Sequence, residues 1–133
     1  MTTVAGNTSK RRVVQGALAL RPIDRLHLAK QALGDPGLEI EILRAFGEVV
    51  ERHFDRLKRA GSTSEMLQQL QTLKTASVGV GAWSLAEHAH IIEGEIRAGE
   101  PLTRERLEDL DFCIEEVRGF IAGQVAMDEA GAE

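Results

Sequence analysis

Apolar residues along this 133-residue chain recur every three or four positions, the spacing that places them on one side of a helix. Ile23, Leu26, Ala29 and Leu33 follow Pro22 and stop at Gly34, which predicts a short first helix with these four side chains inward. Asp35 then stands as an N-cap, with Pro36 at the first helical position, where a missing amide hydrogen costs nothing. Ile40, Leu43, Phe46, Val50, Phe54 and Leu57 continue one stripe to Ala60, and Gly61 ends it. Ser62 and Glu65 read as a capping box opening a third helix, whose stripe is Met66, Leu70, Leu73, Ser77 and Val80 and which runs into Gly79-Val80-Gly81. Ser84 and Glu87 repeat the box ahead of Leu85, Ala89, Ile92 and Ile96, a run stopped by Gly99 with Pro101 beyond it. Thr103 is placed to cap a last helix carrying Leu107, Leu110, Ile114, Val117 and Ile121 before Gly123.

Four amphipathic helices joined by loops of a few residues bury their stripes together when neighbours run antiparallel. The expected fold is therefore all-α, an up-down antiparallel four-helix bundle with the short N-terminal helix laid against one end. The bundle spans residues 20–123, preceded by a basic, flexible segment 1–19 and followed by a loose acidic tail 124–133. Composition agrees: 28% charged residues is ordinary for a globular domain, and three prolines with four phenylalanines, one tryptophan and no tyrosine disfavour a β-sandwich.

Charge and cysteine content narrow the partners. A net charge of −5 has the wrong sign for a protein that grips nucleic acid along its surface. The charge is uneven, since residues 1–34 hold six basic and one acidic residue, a net +5, which leaves −10 for residues 35–133. A basic start of this kind is either a solvated tail or an aid in docking an acidic partner. Apolar runs such as residues 16–20 fall far short of the roughly 18 residues a membrane span needs. Lys10, Arg11 and Arg12 ahead of residues 13–20 look superficially like a signal peptide, yet the stretch lacks a convincing small-residue cleavage site before Pro22. The lone Cys113 closes no internal disulfide and supports no zinc-finger site. The expectation is a cytoplasmic protein in a reducing compartment, bound to neither membrane nor nucleic acid.

Catalytic constellations are sparse. Glu87 and His90 give one Glu-x-x-His half-motif of the kind di-iron bundles use twice, and a single copy on the polar side of its helix reads as a solvated pair. His88 and His90 point about 200° apart on a helix and cannot share a metal. His27 and His53 are isolated, and no phosphate loop or nucleophile context is present. No enzyme activity, metal or cofactor is expected.

The third helix is different. With Leu70 and Leu73 inward, Gln68, Gln71, Thr75 and Val78 fall on the outward face with Lys74 beside them. Only Glu65 and Lys74 are ionised between Ser64 and Ala82, and a solvent face so poor in charge suggests a contact surface. Here Gln71-Thr72-Leu73-Lys74-Thr75-Ala76-Ser77-Val78-Gly79-Val80-Gly81-Ala82-Trp83-Ser84-Leu85, followed by Ala89, Ile92 and Glu93, resembles the histidine-containing phosphotransfer (HPt) motif of two-component phosphorelays. That motif reads roughly H-x-L-K-G-x-S-x-x-x-G-A-x-x-L and ends some residues later in a hydrophobic-Glu pair. Leu73, Lys74, Ser77, Gly81, Ala82, Leu85 and Glu93 stand at matching offsets, and with Gly34-Asp35-Pro36, Phe46 and Leu57 the resemblance covers about residues 22–122.

Two departures change what the resemblance implies. Gln71 occupies the place of the phosphorylatable histidine, and a glutamine amide, its lone pair delocalised, is no nucleophile. Thr75 replaces the glycine that lets a receiver domain approach, setting a β-branched side chain in the gap while offering a hydroxyl to the contact. The resemblance thus implies a pseudo-HPt protein, a monomer that docks the receiver domain of a response regulator or a hybrid histidine kinase without carrying phosphate. Gln68, Gln71, Lys74, Thr75 and Val78 would form the contact, with Lys74 set against the receiver's carboxylates. Leu73, Ser77, Gly81, Ala82, Leu85 and Glu93 would be structural, the small ones letting the third and fourth helices approach closely. The alternatives are an active phosphotransfer protein using His88 or His90, and a helical scaffold with no signalling contact.

Overall fold

A computed structural model describes residues 21–131, and among these the regular structure is entirely helical. We number the helices α1 (Arg25–Gln31), α2 (Pro36–Arg59), α3 (Thr63–Val80), α4 (Trp83–Arg97) and α5 (Arg104–Gly131). The expectations for segment 1–19 lie outside the described residues. No described helix is long and apolar enough to cross a membrane.

Most helix starts follow the side-chain chemistry of the sequence. Asp35 Oδ1 accepts the N–H groups of Gly37 and Leu38 at the start of α2, at 2.9 and 3.4 Å. Ser62 Oγ accepts the Glu65 N–H at 3.1 Å, while the Glu65 carboxylate reaches the N–H of Gly61, one residue further back than an ideal box. Thr103 Oγ1 accepts the Arg106 N–H at 3.2 Å. The second capping box does not form. Helix α4 begins at Trp83 behind Ala82, which has no capping side chain, and Ser84 lies inside the first turn with its hydroxyl turned toward Cys113. The tight turn at Gly81 brings the chain directly into α4, leaving no extended residue at 84 to act as a cap.

The apolar stripes meet in one core. Helix α3 packs between α2 and α4, and α5 closes against both α2 and α4, so the four long helices form a helical bundle. Leu43, Val50 and Leu57 of α2, Leu70 and Leu73 of α3, Leu85 and Ile92 of α4, and Leu110 and Ile114 of α5 are almost wholly buried. Each such side chain contributes roughly 1.5–3 kcal/mol through the surface it removes from water.

Two expectations about the ends are corrected. In the α1 region Ile23, Leu28 and Ala32 are the buried residues, whereas Leu26 and Leu33 are 78% and 88% exposed. Ile23 precedes the helix and Leu33 follows it at φ +55°, so neither obeys a helical period. At the other end, Gly123 does not stop α5, which continues to Gly131 as a helix whose last turns are exposed rather than as a loose tail.

Candidate functional site

The outward side of α3 carries Gln68, Gln71 and Thr75 exposed, with Val78 at 45% exposure. Its residues are tied mainly to their own helix. Thr72 Oγ1 donates to the Gln68 carbonyl at 3.1 Å, and the Gln71 amide donates weakly to Thr75 Oγ1 at 3.5 Å, one turn along. Thr75 therefore accepts from Gln71 and keeps its hydroxyl proton for an outside acceptor.

Lys74 is not aimed outward with them. Its Nζ lies 2.5 Å from Glu93 Oε1 on α4, and the carboxylate's other oxygen accepts from Arg97 at 3.2 Å. The Glu93 side chain is only 6% exposed and that of Lys74 25%. The Lys74 ammonium, with help from Arg97, holds the Glu93 carboxyl below the ordinary carboxylate range despite its burial. His90 stands at the rim of the same cluster, largely exposed, its Nδ1 3.9 Å from Glu93 Oε1. Because the one cation of this stretch of α3 is neutralised from within, the outward face offers amide, hydroxyl and methyl groups rather than charge.

The α3–α4 turn is built for close approach. Gly81 has φ +82°, its N–H donates to the Val78 carbonyl, and Ala82 N–H donates to Ser77 at 2.8 Å, closing α3 with a left-handed cap. Asp24 N–H donates to the Gly81 carbonyl at 2.9 Å, and Asp24 Oδ2 accepts the indole N–H of Trp83 at 3.0 Å. That indole bond, with the backbone N–H groups of His27 and Leu26, holds the Asp24 carboxyl below its ordinary value against partial burial. Asp24 thus caps α1 and pins it to the turn. Ala82, Leu85 and Leu73 are buried around this junction. Ser77 is also wholly buried, and nothing in the structure explains its hydroxyl, which has no hydrogen-bond partner among the described residues. Gly79 differs from Gly81: it is helical and a Cβ there meets nothing within 4 Å. Gly79→Ala is expected to raise stability by roughly 0.5–1 kcal/mol, read as a higher denaturant midpoint at unchanged slope.

The histidines are separated. His88 Nδ1 lies 2.8 Å from the Ser84 carbonyl and 3.5 Å from Cys113 Sγ on α5. A carbonyl only accepts, so Nδ1 carries the hydrogen. Cys113 Sγ and, against the opposing effect of burial, the Ser84 carbonyl raise His88 to about 9. NMR titration of the imidazole is expected to show no midpoint between pH 6 and 8 and one near pH 9; a midpoint at the ordinary histidine value of about 6.5 contradicts the contact. His53 Nδ1 lies 2.6 Å from Gln69 Oε1, and His27 packs edge-on to Trp83 with ring centroids 5.0 Å apart. Among the described residues no three His, Cys, Asp or Glu side chains come together in a way that could hold a metal ion.

No protein-family model, curated protein or solved structure matches this chain. The chemistry open to the site is therefore read from its groups. His88 has its Nδ1 hydrogen committed to the Ser84 carbonyl, and the Gln71 amide has no lone pair to offer for attack. The outward face of α3 can bind by hydrogen bonds and apolar contact. The Lys74–Glu93 pair, 19 residues apart on different helices, carries no sequence signal that joins its members, and the same holds for Asp24 with Trp83 and His88 with Cys113.

Proposed function

We propose that this chain is a degenerate HPt protein, an up-down four-helix bundle with α1 across one end, which docks a response-regulator receiver domain or a hybrid histidine kinase through the outward face of α3. It modulates signalling by occupancy and carries no phosphate. The observation that supports it most directly is the placing of Gln71: exposed at mid-helix, flanked by Gln68, Thr75 and Val78, with the motif's Leu73 and Ser77 buried beneath it. An amide at that place can meet a receiver's acidic pocket by donating hydrogen bonds but cannot accept a phosphoryl group. The pairing of Lys74 with Glu93 refines the reading, because docking then relies on neutral groups and biases the receiver only as far as affinities for its conformations differ.

Gain of function tests it. Gln71→His, alone or with Thr75→Gly, is expected to accept phosphate from a phosphorylated receiver that the parent binds without reaction. If neither variant is labelled by a receiver panel, the docking face does not serve this purpose. One second reading has an observation in its favour: exposed His90 adjoins Glu93 and through it Lys74, a carboxylate to orient an imidazole and a cation to offset a phosphoryl group. Acid-labile phosphate on the parent protein that disappears in His90→Gln would establish that reading in place of the first.

A further inference from the structure

Helices α2 and α5 do not close fully along their outer seam. Between them runs an open groove of about 370 Å³, lined by Val50, Val117, Ile121 and Val125 and edged by Arg44 and Glu48. Gly47 deepens it, since a Cβ there would stand 3.4 Å from Ile121 Cδ1. Arg118 on its edge is already engaged by Glu51 and Glu115. Val50 and Val117 at its base are already buried, and the apolar surface that no described segment covers is that of half-buried Ile121 and Val125.

We propose that the occupant is the chain's own segment 13–20, Val-Val-Gln-Gly-Ala-Leu-Ala-Leu, which docks in the α2–α5 groove and covers its aliphatic floor. The tether supports it. Ile23 is wholly buried and fixes the end of the segment on the bundle, and the Arg25 guanidinium sits 5.8 Å from the centre of the Phe120 ring, the residue beside Ile121 in the groove wall. Leu18 lies five positions before Ile23, so extended chain of about 17 Å is available, while an outside peptide would have to bind without that tether. Charge supports the same orientation. Lys10, Arg11 and Arg12 lie just before the apolar run, and Asp128 and Glu129 lie one turn beyond Val125 on the same face of α5, at the helix end where the dipole also favours cations. This inference is independent of the docking face on α3.

The test is paramagnetic broadening in the full chain, with a nitroxide on Gln15→Cys, a polar position, in a Cys113→Ser background. Loss of the amide signals of Gly47, Ile121 and Val125, restored by reducing the label, is the expected result. Gly47→Leu, which gains helix propensity while filling the groove, should bring the signals back with the fold retained. Unbroadened signals in the labelled chain would overturn the proposal. So would broadening that appears only in isotope-labelled chains mixed with separate nitroxide-bearing chains, which would give the groove to a second copy.

Discussion

Gly81→Ala is expected to destabilise the fold by roughly 2–4 kcal/mol, lowering the thermal midpoint by about 10 °C. Two costs add. The residue sits at φ +82°, where an L side chain is strained, and its Cβ would lie 2.9 Å from Asp24 Cβ and 3.2 Å from the Asp24 carbonyl oxygen. The second contact is with backbone, so it is relieved only by moving α1 away from the turn. That movement also breaks the Asp24 N–H bond to Gly81 and draws Asp24 from the Trp83 indole. Amide exchange should accordingly rise in α1 before it rises in the long helices. A midpoint shift no larger than that of Gly79→Ala, in either direction, would contradict this account of the turn.

Lys74→Met should cost roughly 2 kcal/mol, under the range of about 3–5 for a fully buried pair because Lys74 keeps partial solvent contact and Arg97 still reaches the carboxylate. The stranded group is Glu93, which is 4% exposed and cannot regain its water. Glu93→Gln should cost less, because the ammonium can swing outward. Its signature is pH dependence. The folded protein holds Glu93 below the value it has when unfolded, so the stabilisation is present at neutral pH and is lost as pH falls through the lowered value. The stability gap between parent and Glu93→Gln should therefore narrow as urea midpoints are measured from pH 7 down toward pH 3. A gap that is constant or widens would mean that the carboxylate is not held by its cations.

The long helices were legible because each buries a continuous stripe, and a stripe such as Leu43, Phe46, Val50, Phe54 and Leu57 has one helical solution. Legibility failed where contact across the fold replaced period. Ile23 is buried ahead of α1, and the buried face of the helix runs through Leu28 to Ala32 four residues on, while Leu26 fits the expected repeat and faces solvent. Ser84 and Glu87 have the spacing of a capping box, but the cap from Gly81 starts α4 before Ser84 is reached. Gly123 does not end α5, since helical glycine costs only about 1 kcal/mol and half-buried Val125 still lies ahead. In the candidate site period alone places Gln68, Gln71, Thr75 and Val78 on the outward face. Period misdirects Lys74, whose long side chain carries the charge sideways to α4, a contact set by the pairing of two helices that one sequence does not specify.

The central claim is that the α3 face binds a receiver domain while the protein stays unphosphorylated. It is tested most directly by mixing the purified chain with phosphorylated and unphosphorylated receiver domains of its own organism, and measuring binding and acid-labile phosphate on the bundle together. The account predicts binding to at least one receiver, weakened by changes at Gln71 or Thr75, with no phosphate on the bundle. Phosphate on a histidine, or no binding to any receiver, would contradict it.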